Sequence, residues 1–327
     1  MNNFTVLENN QIQTPFGIMS GVTTLSCYES GELKSVRLNE KNMTVTHAGE
    51  LVPVYTETPR RKYKHSIEFF KNGLIKSICL EEPQEIITPI GEFPAEQVTF
   101  HETGELKRFF PLDGKISGFW SEEDERTLNI PLNFDLGFTA FTAMLNGVCF
   151  YKSGNIRSIT LFPGESIEVL TTYGTITTKN GLSLYESGQL ESLEPQTPVL
   201  ISTPIGTIAA YDPNALGINA DSNSLRLDDT GRVIELITTL NHIAVQQPDG
   251  QLNWFKPIQL PHPLEEDKKM TVGLHVSFNY EHGTVTIKDE IEHTFLVSEC
   301  AFTVVKTDQD LFSCSPSDCA NCSLCEK

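Results

Sequence analysis

An all-β architecture of tandem hairpin repeats is predicted by three features of this 327-residue sequence: a glycine-centred segment that recurs seven times, a second glycine turn interleaved with it, and apolar residues that alternate along the chain between the two. Repeats of this kind decide the architecture before any single residue does.

The first segment reads SCYESGELKSVRL, EFFKNGLIKSICL, TFHETGELKRFF, CFYKSGNIRSITL, SLYESGQLESL, RLDDTGRVIEL and FNYEHGTVTIK, with glycines Gly31, Gly73, Gly104, Gly154, Gly188, Gly231 and Gly283. In most copies an aromatic residue and one or two polar residues precede the glycine, and an apolar residue follows two places on. That pattern predicts a hairpin whose type I turn ends on a residue in the left-handed region, where glycine carries no steric cost. Ser, Asn, Thr or Asp just before the glycine suits such a turn. Downstream, Val36 and Leu38, Ile78 and Leu80, and Ile159 and Leu161 keep the period of two expected of a strand with one buried face.

The second turn reads QTPFG, VTHAG, ITPIG, NFDLG, TTYGT, STPIG and QQPDG, with Gly17, Gly49, Gly91, Gly137, Gly174, Gly206 and Gly250. From each hairpin glycine to the next of these the steps are 18, 18, 33, 20, 18 and 19 residues, whereas the return steps are 14, 24, 13, 17, 14, 25 and 33. The nearly constant arm implies strands that pair with neighbouring copies, since a slip of one residue would turn the apolar face to water. The variable arms are expected to be loops, and so is SEEDERTLNIPL within the one long exception. YTETPRRKYK, YDPNALGINADSNS and LPHPLEEDKK carry the same polar or proline-rich chemistry.

A unit of about 32 to 46 residues cannot bury its own apolar face, so the copies must stack. The expected fold is a solenoid-like or stacked meander array over residues 1–310, with a seven-bladed β-propeller as the alternative, followed by a cysteine-rich tail over residues 311–327.

The segments YESGELKSV, FKNGLIKSI and YKSGNIRSI resemble the bacterial variant of MORN repeats, in which an aromatic residue, a polar pair and a glycine precede a short basic strand. The similarity covers about ten residues per copy, and the interleaved TPIG-like turn lies outside it. The resemblance implies a β-hairpin binding or scaffolding module, sometimes paired with a toxin, and transfers no catalytic residue.

Lys and Arg number 24 against 43 Asp and Glu, a formal net charge of −19. Phosphate backbones and anionic lipid repel such a chain, so neither nucleic acid nor membrane is expected as a partner, and a basic protein is. No apolar run approaches the roughly 20 residues of a bilayer-spanning helix. The opening MNNFTVLENNQIQTPFG has neither a basic start nor an apolar stretch, which points to a cytoplasmic chain.

The cysteines are unevenly placed. Cys27, Cys79 and Cys149 sit singly in strand-like runs and are expected as small buried apolar groups. Cys314, Cys319, Cys322 and Cys325 follow the spacing C-x4-C-x2-C-x2-C, in which short gaps let four thiolates converge on one metal centre, zinc or an iron–sulfur cluster, with Cys300 in reserve. The run Cys319, Cys322, Cys325 is similar to the cluster-ligand run of bacterial ferredoxins, and that resemblance implies iron–sulfur. Reactive thiols or tail disulfides are the other readings.

Elsewhere the chemistry is sparse. His262, His275, His282 and His293 are separated by 13, 7 and 11 residues, which fits no standard ligand spacing. Ser35, Ser77, Ser158 and Ser192 recur four residues after a hairpin glycine without a recurring base, which predicts a solvated or hydrogen-bonded strand face rather than nucleophiles. In DPNALGINADSNS, the oxygens of Asp212, Asn214, Asp221 and Asn223 could face a cation. However, Leu216 and Asn223 occupy the places where a calcium loop needs an oxygen ligand and a bidentate carboxylate. The sequence has no phosphate-cradling loop, G-x-S-x-G or H-E-x-x-H. The expected function is a non-enzymatic protein-binding scaffold with a cysteine centre at its end. The alternative is an electron-transfer or redox accessory protein built around that centre, and a carbohydrate-active repeat enzyme would need a pair of facing carboxylates.

Overall fold

The computed structural model describes residues 3–61, 64–215, 223–261 and 269–306. They form two compact units, one comprising residues 3–196 with 223 and 229–231, the other 197–215, 224–228 and 232 onward. No helix among the described residues is long and apolar enough to cross a membrane.

In the first unit, ten strands lie side by side in chain order as one antiparallel meander: Val22–Cys27, Leu33–Leu38, Ile67–Phe69, Ile75–Thr88, Gly91–Phe100, Leu106–Phe110, Leu145–Phe150, Ile156–Leu161, Gly174–Leu184 and Leu190–Pro195. Each copy contributes a hairpin and pairs with the next. This continuous hydrogen bonding from copy to copy corrects the propeller alternative, because a propeller keeps its blades as separate small sheets.

The register explains why the repeat is conserved in spacing along the chain. Val36, Ile67, Ile78, Val98, Phe109, Val148, Ile159, Leu182 and Leu193 pair in sequence across nine strands, and every one is 0% exposed. The adjacent row faces the other way and is polar: Ser26, Ser35, Glu68, Ser77, Thr99, Arg108, Cys149, Ser158, Ser183 and Ser192. A one-residue slip would exchange the two rows.

The interleaved turns build a second layer over the apolar row. Short hairpins Ile12–Thr14 with Gly17–Met19, Thr44–Thr46 with Gly49–Leu51, and Leu132–Asp135 with Ala140–Ala143 are joined by the outer ends of the long strands Ile75–Thr88, Gly91–Phe100 and Gly174–Leu184. Ile12, Leu51, Ile86, Phe134 and Val169 point inward and are buried. Phe93 stacks between Phe134 of this layer and Phe109 of the sheet, at ring distances of 5.3 and 5.4 Å. At about 1.5–3 kcal/mol per buried large apolar side chain, this interlayer contact helps hold the two layers together.

Both turns form as the sequence predicts, with all fourteen glycines at φ between +62° and +131°. In the first hairpin Tyr28 N donates to Glu32 O and Gly31 N to Tyr28 O, at 2.8 and 2.9 Å, and the next four copies repeat the pair of bonds. The pairing then shifts by one residue, leaving Lys34, Lys76, Lys107, Arg157 and Glu191 as the extra residue of a β-bulge in successive copies. The aromatic residue of the segment links copies: the Tyr28 hydroxyl donates to Phe69 O at 2.8 Å and that of Tyr151 to Leu184 O at 2.9 Å.

In the second turn, the threonine three places before the glycine does the capping. Thr88 Oγ1 accepts from Ile90 N at 3.2 Å and donates to Gly91 O at 2.7 Å, and Thr14, Thr46, Thr171 and Thr203 bond their own glycine carbonyls in the same way. Thr88→Val keeps the shape and removes both bonds. Urea unfolding of the variant is expected to show a loss of about 1 kcal/mol with an unchanged slope.

In the second unit, Leu225–Leu227, Val233–Thr238, Leu274–Asn279, Thr284–Lys288 and Glu292–Leu296 form a meander of the same kind, with Leu225, Leu236, Val276 and Ile287 as its fully buried row. The seventh turn departs from the pattern: Asn279 pairs directly with Thr284, so Gly283 is followed by no bulge. The last strand among the described residues, Ala301–Lys306, turns back to pair with Asn241–Gln246, which also pairs with Leu252–Phe255.

Two further expectations are corrected. SEEDERTLNIPL is not all loop: Glu122–Arg126 is a short α-helix, because Ser121 and Asp124 form a reciprocal capping box at its start. Cys27 is exposed rather than buried, because Val22–Cys27 is the edge strand of its sheet, while Cys79 and Cys149 are buried as expected.

Candidate functional site

The two layers of the first unit meet at a seam, where the tips of three of the second turns, those of Gly49, Gly91 and Gly174, reach the turns at Gly104, Gly154 and Gly231. His47 Nδ1 lies 3.0 Å from Gly104 O. A Cβ on Gly154 would stand 3.1 Å from Pro89, and Thr172 Oγ1 donates to Gly231 O at 2.5 Å. His47, Pro89 and Thr172 each precede their own turn glycine by two residues, so these three contacts are made from equivalent places.

Between successive tips the seam opens into cavities. One, of about 360 Å³, is lined by Phe16, Val45, His47, Leu74, Phe100 and Thr103. The next, of about 320 Å³, is lined by His47, Ile87, Pro89, Glu105, Leu106 and Lys152. They are related by one copy, with the His47 ring as the wall between them. Both fall at the lower end of the size range of small-ligand and side-chain pockets.

The lips carry exposed apolar side chains. Val45 and Ile87 hold equivalent places, four residues before their turn glycines, and are 65% and 56% exposed. Opposite them in the register stand the exposed carboxylates Glu50 and Glu92. The Thr103 hydroxyl, bonded to Glu105, holds that carboxyl below its ordinary range, and Lys152 lines the same cavity. Chemically the seam can take apolar side chains in series and hold cations beside them.

No family model matches this chain, and no curated protein matches its sequence. The functional reading therefore rests on the site's own chemistry.

The residues singled out from the sequence fall in several places. Cys314, Cys319, Cys322 and Cys325, with His262, Leu216 and Asp221, lie outside the described residues. Among the described residues no group of three or more His, Cys, Asp or Glu side chains is arranged to hold a metal. Cys300 is partly buried, and burial together with Glu299 and Asp249 raises its thiol pKa. His275 Nδ1 is 3.8 Å from Glu235, His282 lies in the seventh turn, and His293 packs against Phe255 at 5.1 Å. Asp212 Oδ1 accepts from Asn214 N at 2.9 Å, closing an Asx turn.

The serines form the polar row of the sheet, as a hydrogen-bonded strand face. Ser35 shares a hydrogen bond with Ser26 and Ser192 with Ser183, both at 2.6 Å, while Ser77 donates to Glu68 at 2.9 Å. Ser158 Oγ is buried with no hydrogen-bond partner among the described residues. Cys79 lies by Asp113, and burial plus that carboxylate push its thiol pKa far up, so it is no nucleophile. Sequence reasoning missed the seam, whose only trace was the regular THAG and TPIG turn itself.

Proposed function

We propose that this chain is a protein-binding β-repeat scaffold, and that the seam receives an extended partner segment with apolar side chains flanked by basic residues. The observation that carries this reading is the pair of equivalent cavities one copy apart, both lined by His47, one of them also by Glu105, with Glu50 and Glu92 paired across the strands from the lining residues Val45 and Ile87.

The spacing selects the segment's conformation. One copy adds two strands to the sheet, so equivalent points are about 10 Å apart. A β-strand places every second side chain on one side, about 7 Å apart, and misses that spacing. A polyproline II segment repeats its side chains every third residue, at about 9.3 Å, and fits. Such segments enter aromatic-lined grooves at low entropic cost, and Phe16 and Phe100 supply the aromatic lining here. The basic flanks follow from the rim carboxylates and from the net charge of −19. On the sequence alone, the tail cysteines would add a zinc or iron–sulfur centre to this scaffold.

Fluorescence anisotropy with a labelled, proline-rich peptide tests the reading, the peptide carrying leucines three residues apart and arginines at both ends. The exposed pair Val45→Glu and Ile87→Glu is expected to weaken binding about tenfold or more without unfolding the protein. Equal binding to both forms, or none to the native chain, would reject the seam as the site.

A further inference from the structure

The opposite, polar face of the same sheet carries charge of the other sign. The four bulge residues of the first four copies are all basic: Lys34, Lys76, Lys107 and Arg157. A bulge leaves its extra residue outside the ladder and re-aims its side chain. Because the bulge recurs at the same place in each copy, these cations stand in a line across the strands, about 10 Å apart. The fifth bulge residue is Glu191, which ends the line.

The central part of this line borders a groove of about 430 Å³. Lys76, Lys107, Arg108 and Arg157 edge it, Ser77 and Thr99 form part of its floor, and Phe70 and Phe110 flank it. Glu68 also lines it, 3.8 Å from Lys76. Neighbouring rings steady several of the cations: Lys34 sits 5.9 Å over Tyr28, Arg108 5.9 Å over Phe110 and Arg157 6.0 Å over Tyr151. In a chain with 43 acidic and 24 basic residues, a groove with four cations and one carboxylate is a local inversion of sign.

We infer that this ladder is a second binding site, independent of the seam, for an extended acidic segment of a partner protein with carboxylates about three residues apart. Three intervals between four cations span about 30 Å, or about ten residues of a segment in the polyproline II conformation, whose side chains return to one side every third residue. A peptide fits better than a nucleic acid, for two reasons on this face. Glu68 within the groove repels a continuous phosphate backbone but tolerates discrete carboxylates, and Phe70 and Phe110 offer apolar contact between charges. The net charge of −19 adds long-range repulsion against polyanions.

The test uses the full chain and a labelled peptide with aspartates at every third position, alongside an asparagine control and a single-stranded oligonucleotide. The aspartate peptide is expected to bind with an affinity that falls as salt rises, and the control is not. Lys76→Glu, Lys107→Glu and Arg157→Glu together should weaken it at least about tenfold, since the exposed bulge side chains leave the fold intact, as far-ultraviolet circular dichroism would verify. Glu191→Lys extends the ladder by one rung and should tighten binding of a correspondingly longer peptide severalfold. Binding that ignores these four substitutions overturns the site. Equal or tighter binding of the oligonucleotide overturns the peptide assignment, and peptide binding lost through the seam variants instead overturns its independence.

Discussion

Replacing Arg60 by methionine is expected to destabilise the protein by about 3–5 kcal/mol, the loss typical when one partner of a buried ionic cluster is removed. The Arg60 guanidinium is gripped by two carboxylates. Its Nη1 and Nη2 donate to the two oxygens of Glu96 at 2.9 and 2.7 Å, and its Nε and Nη2 donate to those of Glu125 at 2.7 and 2.6 Å. The side chains of Arg60, Glu96 and Glu125 are only 12%, 4% and 7% exposed. Trp120 Nε1 and Gly114 N also donate to Glu125, and Asp113 N to Glu96. The 3-10 turn Pro59–Arg61, the helix Glu122–Arg126 and the strand Gly91–Phe100 are thereby fixed to one another. Without the cation, two carboxylates remain buried with amide and indole donors alone.

The pH dependence of that loss has a definite sign. In the native chain burial acts to raise the Glu125 pKa, but the donors from Arg60 and Trp120 outweigh it and the net shift is downward. A carboxyl depressed in the folded state contributes stability above its unfolded pKa, and that contribution disappears as pH falls through the folded value. In the methionine variant burial dominates, so the Glu125 pKa rises on folding and the variant is penalised most when the group is ionised. The difference between the two proteins should therefore be largest near neutral pH and narrow as the solution approaches pH 4. Urea titrations at a series of pH values measure it, and a gap that is flat or widens with acid would show that the cluster is not the cause.

That cluster also marks the limit of what the sequence discloses. The hairpin glycines and the period-two apolar residues were legible because each is settled locally, by turn sterics and by one buried face. Arg60, Glu96 and Glu125 are 36 and 65 residues apart, in YTETPRRKYK, a strand and SEEDERTLNIPL, and two of those read as plain loops. Nothing local says that a polar loop carries a buried charge pair. The ladder illustrates a subtler case. Lys34, Lys76, Lys107 and Arg157 are visible in GELK, GLIK, GELK and GNIR, yet ordinary alternation would not group them with their polar neighbours. Only the register shift after each turn decides where they point, and that shift is a relation between two strands. The seam is less legible still, because it joins turns from different copies in different layers.

Gly181→Ala is expected to cost about 3 kcal/mol or more, although Gly181 belongs to neither repeating turn. The strand Gly174–Leu184 serves both layers of the first unit. Its first part pairs with Ser166–Thr171 in the outer layer, and Gly181 to Ser183 pair with Ile156–Leu161 in the meander. Between the two parts, Asn180 and Gly181 form the bend, at φ of +62° and +137°, and have no place in the register that joins Lys179 to Glu194 and Leu182 to Leu193. Asparagine tolerates the first angle, whereas the second belongs to glycine. A Cβ on Gly181 would also lie 2.0 Å from Ile159 O, a backbone atom that cannot turn aside. Backbone strain of about 1–3 kcal/mol adds to an overpacking cost of similar size. Gly174→Ala separates the two terms, since Gly174 has φ of +99° but no described residue within 4 Å of its notional Cβ. It should lose about 1 kcal/mol, from the backbone conformation alone. Chemical denaturation of both variants decides the matter: equal losses would mean that the strand bends without the close contact at Ile159, and that the meander does not constrain how a single strand passes from one layer to the other.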